Sequence, residues 1–485
     1  MAKQLLSIDS FKEWIVNDET RQSNRWFVDM YWLDPWTEDG ILQINKRILA
    51  DTATGLVQDP LSFTYFDNKK ICWTENEQMW YESTTNTWTL MHTNVNNGDN
   101  HDLTTYQDYL IYCSIDEIWI STNTTIAWWF TDNPTFTWDS NSFLNWTISQ
   151  RHYFKEFNNR LYISDGNYLV ELDWASAPTT PASWVLDRDK FILPVWENIL
   201  SLEVIGSQMA IWTDLWNLYF WDWASANATQ IVKTTLGWIF ALQNLENTLF
   251  AFAWTTWTVY RYNWAELIPV IQIPNFNSSS TSHPVPASVR RYRNGMIFGI
   301  RNNGLYVYNR NSASEPFALT KYWPTAWWVD NDVLWIYVNP LSATGDDFAI
   351  AVRETQSIEQ TDSTDRYRME EAGSGDTSGA PRIDTFVYEL RDNKWQPNKV
   401  QWVQWLFKWD GGVFVKNNIL IEYRLNRDTT YTVLWSIWED GVGLDKILRG
   451  IGKRASAVQL RIKFWRESNI ISGRQNTKLT WLKIF

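Results

Sequence analysis

One phrase recurs along this chain: an apolar strand of three or four large side chains, a turn of Asn, Asp or Gly, and a second strand carrying Leu-Tyr or an equivalent pair. Residues 160–172 and 296–308 show it most plainly. The clearest strands lie at 70–72, 109–112, 160–163, 209–211, 249–252, 296–298 and 333–336, giving seven units at a spacing of roughly 40 to 50 residues. A sustained helical period is missing, so the chain is expected to be all-β. A twisted antiparallel sheet of this length cannot bury both faces alone. Neighbouring sheets must stack around an axis, and closing the circle protects their edges. The expected fold is therefore an all-β, about seven-bladed β-propeller over residues 49–398, with a string of unrelated hairpins in two sandwiches as its rival.

The flanks read differently. Residues 1–48 form an N-terminal arm with a short helix expected near 10–16. Residues 353–381 turn polar and end in a Gly/Ser-rich run, a composition that cannot offset the entropy of ordering. They are expected to be a mobile loop inside the last blade, whose pattern resumes at 385–390 and closes near Asn393-Lys394-Trp395. From 399 to 485 the strands lengthen. Val458, Leu460, Ile462 and Phe464 alternate with polar residues, as do Ile419, Ile421, Tyr423 and Leu425, each series implying one buried face. Two such half-wet sheets make a separate C-terminal β-sandwich.

Composition adds an anomaly. The chain has 35 Trp and 20 Gly, the latter about 4% against a usual share of roughly 7%. Asp173-Trp174, Asp222-Trp223 and Asn263-Trp264 stand where Asp-Gly or Asn-Gly would close a hairpin. Overlaying the repeats sets Trp216 and Trp257 against Gly304, and Trp212 and Trp254 against Gly299. A tight turn with φ > 0 is filled cheaply by glycine and badly by a bulky residue. The expectation is that the gene reads UGA as glycine and was translated with UGA as tryptophan. Trp88 and Trp221, inside apolar strands, read as authentic. The competing explanation is an aromatic-rich surface for stacking on glycans.

Lys+Arg 42 against Asp+Glu 55 leaves a formal net charge of −13, which argues against nucleic acid as a partner. No apolar run is long enough for membrane insertion, and the first residues lack a signal-peptide core. Cys72 and Cys113 are too few for a disulfide scaffold or a zinc site, and four His make a metal enzyme unexpected. Phosphate-loop, His-Glu-x-x-His, Gly-x-Ser-x-Gly and EF-hand motifs are absent. His101 and His152 read as solvated or core-satisfied, and the cluster Arg290, Arg291, Arg293 as a solvated strand edge. Asn123-Thr124-Thr125 and Asn227-Ala228-Thr229 read as chance glycosylation matches. No catalytic, cofactor-binding or metal-binding residue is assigned, and no enzymatic activity is expected.

The order of parts, with the phrase Trp32-Leu33-Asp34-Pro35 standing for a Gly-Leu-Asp-Pro-like element in the arm, resembles structural proteins of tailed bacteriophages. The likeness covers most of the chain by architecture and phrasing, without an invariant motif. It implies a virion or tail component, such as a tail-tube or nozzle protein or part of the distal host-contacting apparatus, assembled in the host cytoplasm with other virion proteins and in several copies. The alternatives are a tail module that binds host-surface glycans through its blade loops, and a propeller-fold glycoside hydrolase with paired carboxylates at a channel mouth.

Overall fold

The structure, a computed structural model, describes 39 strands between Leu6 and Ile484. It also describes the intervening residues 85, 152–153, 158–159, 166–167, 193–198, 206–207, 214–216, 222–229, 234, 246–247, 263–266, 288, 293–294, 426 and 430–431. No α-helix occurs among the described residues. The helix expected near 10–16 and the blade end expected near Trp395 lie outside them.

Seven antiparallel sheets follow one another as simple meanders. Blade one runs Pro60–Phe66, Lys69–Thr74, Glu77–Glu82 and Thr87–Thr93, and blade two Asn100–Tyr106, Tyr109–Ser114 and Ile118–Ser121. Blade three comprises Phe154–Phe157, Arg160–Asp165, Tyr168–Asp173 and Val185–Ile192, and blade four Ile199–Ile205, Gln208–Thr213, Asn217–Trp221 and Gln230–Lys233. Blade five is Ile239–Leu245, Thr248–Ala253, Thr258–Tyr262 and Leu267–Gln272, and blade six Val289–Tyr292, Gly295–Ile300, Gly304–Asn309 and Ala318–Tyr322. Blade seven takes Asn331–Val338, Phe348–Glu354 and Tyr367–Ala372, and its fourth strand is Ile48–Ala50 from the N-terminal region. The first strand of each blade contacts the first strand of the next, and that of blade seven contacts that of blade one, so the ring is closed. The fold is an all-β, seven-bladed propeller with a C-terminal β-sandwich.

Register explains why each interface is apolar. In the second strand of a blade, even-numbered steps from the hairpin face the preceding blade and odd-numbered steps face the following one, as the period of two requires. Leu161 and Ile163 pack with Tyr106, Ile111 and Cys113 of blade two, whereas Tyr162 packs with Met209, Ile211 and Trp221 of blade four. Ala210 and Trp212 meet Leu249 and Ala251 of blade five, and Phe252 meets Phe298 of blade six edge to face at 5.0 Å. Ile297 and Val307 meet Val333, Ile336 and Ile350 of blade seven, and Trp335 of that blade joins Phe63, Cys72 and Trp88 of blade one. Phe66, Ile71 and Trp73 complete the circle against Leu103 and Leu110 of blade two. Cys72 and Cys113 form no disulfide and are buried in different blades, and burial pushes the Cys72 thiol pKa up. Both behave as small apolar residues.

Six of the seven strands singled out in the sequence are second strands of their blades; 333–336 lies in the first strand of blade seven. The stretch expected as a mobile loop contains Tyr367–Ala372, which pairs with Phe348–Glu354 on one side and Ile48–Ala50 on the other. Its polar side chains do not prevent this, because the ladder uses backbone groups alone.

Arg382–Thr385 and Tyr388–Glu389, read in the sequence as part of the last blade, pair instead with Ala457–Trp465 of a C-terminal sheet. That sheet continues through Lys416–Leu425 to Thr432–Asp440. Here the two alternating series stand opposite each other, Ile421 against Ile462, Tyr423 against Leu460 and Leu425 against Val458, and all six are buried. A second sheet contains Gly443–Ala455, Asn398–Trp409 and Thr477–Ile484. The N-terminal strands enter both: Leu6–Ile8 and Leu42–Ile44 pair with Thr477–Ile484, while Phe27–Tyr31 bridges Arg382–Thr385 and, through Tyr31 and Lys321, the outer strand of blade six.

Two buried carboxylates hold blades three and four internally. Glu171 takes the Tyr162 hydroxyl at 2.7 Å, Lys190 Nζ at 3.3 Å and the Arg160 guanidinium. Glu197 accepts from Tyr219 and Asn217, both at 2.7 Å, and from Thr213. Burial, then the bonded carboxylate, raises the pKa of Tyr162 and Tyr219 above the ordinary 10.0. A phenol whose pKa is raised by folding contributes stability that is intact below its unfolded pKa and lost as pH climbs past it.

Unfolding free energy is accordingly expected to fall above pH 10 by up to about 1.4 kcal/mol per pH unit per tyrosine. Tyr162→Phe should flatten that slope in urea titrations followed by circular dichroism. A second expectation concerns Gly299, where an added Cβ would lie 2.3 Å from Val333 Cγ1. Gly299→Ala should destabilise by about 1–3 kcal/mol through overpacking, and Val333→Ala in that background should recover part of the loss.

Candidate functional site

The first strands of all seven blades surround one cavity of about 750 Å³ on the propeller axis. Its lining repeats. Two residues before each closing hairpin pair stand Thr64, Thr104, Lys155, Glu203, Gln243 and Arg290 in blades one to six. Each sits opposite the third residue of its second strand, respectively Ile71, Ile111, Tyr162, Ala210, Phe250 and Ile297. One shared register thus delivers one polar side chain per blade to the same channel. Blade seven contributes Trp335, Tyr337 and Val338.

A register shift recurs in the first strand at Pro60/Ser62, Asn100/Asp102, Ile199/Ser201, Ile239/Ala241 and Val333/Trp335. Bulges of this kind bend a strand and re-aim its side chains, and in these five blades they lie in the first half of the innermost strand.

Charge is unevenly distributed around the wall. Blades two to four carry Asp102, Lys155, Glu156 and Glu203, and blade six carries Arg290, Arg291 and Arg293. Asp102 Oδ1 accepts the Leu103 amide at 2.9 Å and Oδ2 the Phe154 amide at 3.1 Å, which ties blade two to blade three. Lys155 Nζ lies 2.7 Å from Glu203 Oε1, tying blade three to blade four, and the same oxygen accepts the Val204 amide at 2.9 Å. The Arg290 guanidinium lies 4.7 Å from the Trp335 ring centroid and donates to the Val289 carbonyl at 3.0 Å. Tyr337 stacks on Tyr65 at 5.2 Å, joining blades seven and one. Burial raises its pKa.

The arginines read from the sequence as a solvated strand edge therefore belong to the channel wall. Arg291 is exposed, while Arg290 and Arg293 are half-buried. The missing signal was register: an edge facing a channel is as polar as an edge facing bulk water. His152, read as solvated or core-satisfied, is buried with Nδ1 2.6 Å from the Ser164 carbonyl oxygen. The side chain of His101 lies outside the described residues.

No protein-family model matches the chain, and no curated protein matches it in sequence. Among solved structures it is similar to Chaetomium thermophilum Raptor, with a TM-score of 0.44 and 11% identity over 68% of this chain and 30% of that one. It is similar also to the Myceliophteria thermophila Cps50 (Swd1) β-propeller domain, with a TM-score of 0.42 and 12% identity over 67% of this chain and 99% of that one. The Neurospora crassa Pan2 WD40 domain aligns with a TM-score of 0.41 and 9% identity over 66% of this chain and 90% of that one. The propeller assignment itself rests on the closed ring of seven innermost strands.

Proposed function

We propose that this protein is a non-enzymatic structural component of a phage virion or tail, a propeller scaffold for contacts with other virion proteins in an oligomeric assembly. The observation that carries this reading is the weave of the N-terminal strands. Leu6–Ile8, Phe27–Tyr31 and Leu42–Ile44 pair into the C-terminal sheets, and Ile48–Ala50 completes blade seven, so disc and sandwich form one backbone-bonded frame. Such a frame suits a part that transmits load and presents several loop-bearing faces. Of the three channel carboxylates, Asp102 and Glu203 are engaged in bonds between blades, which leaves Glu156 of blade three as a single exposed one. That favours a scaffold over a glycoside hydrolase, whose acid and base must reach a sugar.

We infer further that many of the tryptophans are glycines of a UGA-recoded gene. Trp216, Trp223 and Trp264 adopt φ of 67°, 63° and 71°. The left-handed region costs a residue with a Cβ about 1–2 kcal/mol and glycine nothing. Their backbones are held there by Asx turns and hairpin bonds: Asp222 Oδ1 accepts the Ser225 amide at 3.0 Å, Asn263 Oδ1 accepts those of Ala265 at 3.0 Å and Glu266 at 2.8 Å, and the Trp216 amide donates to Thr213. All three side chains are exposed, at 41%, 40% and 55%, and Trp264 meets the Tyr262 ring at a centroid distance of 5.9 Å.

Buried positions also support the reading. Counting from the preceding hairpins aligns the fully buried Trp212 with Gly299. The same count aligns Gly299 with Phe252. That removes the match to Trp254, which with Trp174 and Trp257 lies outside the described residues. Trp88 and Trp221 are buried in apolar strands, and Trp221 donates to the Ser225 carbonyl at 2.7 Å.

The glycan-binding alternative would employ the same exposed indoles, so one measurement separates the two. Tandem mass spectrometry of the protein from its native source is expected to give glycine at 216, 223 and 264, and tryptophan there would reject recoding. Purified particles are expected to contain the chain in proportion to other structural proteins. Its absence from intact particles, with the protein free in the infected host, would reject the virion role.

A further inference from the structure

The basic wall of blade six is out of keeping with a chain of formal net charge −13. Four basic side chains, Lys155, Arg290, Arg291 and Arg293, line the channel against three acidic ones, Asp102, Glu156 and Glu203. Lys155 and Glu203 neutralise each other, and Asp102 is bonded to backbone amides between blades two and three. The three carboxylates belong to blades two, three and four, Glu156 as an exposed residue of blade three, whereas the three arginines all belong to blade six. Neighbouring residues of a strand point to opposite faces, so Arg290 leans toward Trp335 of blade seven while Arg291 leaves the strand on its other side. The two guanidiniums flank the strand edge that borders the cavity. A concave site with low-dielectric walls focuses such a field, and about 750 Å³ falls in the range of small-ligand sites.

We propose that the channel binds a compact multivalent anion rich in phosphate or carboxylate groups, seated against blade six by Arg290 and Arg291. Guanidinium forks match both oxyanions bidentately. The site does not depend on the identity of residue 335. In the other blades with the same bulge, its position holds Ser62, Asp102, Ser201 and Ala241, and the backbone of Val289–Tyr292 carries the arginines regardless. It is likewise independent of the virion reading, since neither requires the other.

Calorimetric titration of the full chain with pyrophosphate and, separately, with citrate in low-salt buffer tests this. A single binding event with at least one of the two is expected, weakened about tenfold in Arg291→Ala and further in Arg291→Glu. The exposed position of Arg291 should leave the melting temperature unchanged. Binding of pyrophosphate alone would identify a phosphate ligand, and binding of citrate alone a carboxylate. Arg454→Ala, an exposed arginine of the C-terminal sheet, is the control and should leave affinity intact. Failure of the wild type to bind either anion at millimolar concentration, or equal losses in Arg291→Ala and Arg454→Ala, would overturn the proposal.

Discussion

Every blade of this protein has two apolar faces, and only a closed ring covers both of them seven times over. The contact between Asn331–Val338 and Pro60–Phe66 is where the circle meets itself, with Trp335 buried among Phe63, Cys72, Met79 and Trp88. Without that contact, the residues of blade one that face blade seven and their partners would meet water, at roughly 25 cal/mol for each Å² exposed. The ring is also secured at its periphery, because blade seven receives its outer strand from Ile48–Ala50, residues that precede blade one in the chain. Blade seven is thus built from both sides of the sequence, and opening the ring would require breaking a β-ladder as well as an apolar interface.

The parts that were legible in the sequence are those decided by local pattern. Asn158-Asn159, Gly206-Ser207 and Glu246-Asn247 close two-residue hairpins, with positive φ at both residues of the first and third and at Gly206 of the second. Apolar runs on either side then follow from a period of two. The C-terminal alternations gave the buried faces directly, since Ile421, Tyr423 and Leu425 meet Ile462, Leu460 and Val458. The destinations of the N-terminal strands were not legible. Phe27–Tyr31 pairs with Arg382–Thr385 some 350 residues away, and no local signal marks a partner at that distance. Tyr367–Ala372 was hidden for another reason: with Arg368, Glu370 and Glu371 it has the composition of a loop, and its pairing uses backbone groups alone.

The channel was half legible. Its polar ring occupies one fixed step before each hairpin, so the positions of Thr64, Thr104, Lys155, Glu203, Gln243 and Arg290 follow once the hairpins are aligned. What composition cannot say is which edge of a blade lies inward. The chain's topology decides that, because the first strand of every blade is the one that touches its neighbours' first strands.

Backbone repetition and side-chain difference have separate causes in this ring. The hairpin step is the same in six blades because blade packing demands it, with an apolar residue such as Ile71, Ile111 or Ile297 opposite each channel position. Packing makes no such demand on the residue at the channel itself, where threonine serves in blades one and two. A cation at blade three, an anion at blade four and another cation at blade six therefore go beyond what closure requires. Lys155 and Glu203 answer each other across adjacent blades, which is a structural use of charge. Arg291 is the one cation at its step, where blades one to five hold Tyr65, Thr105, Glu156, Val204 and Asn244. Half-burying the Arg290 guanidinium beside a cavity costs free energy that an uncharged side chain would spare. The three arginines of blade six are the charges that closure does not require, and they are what the proposed anion would account for.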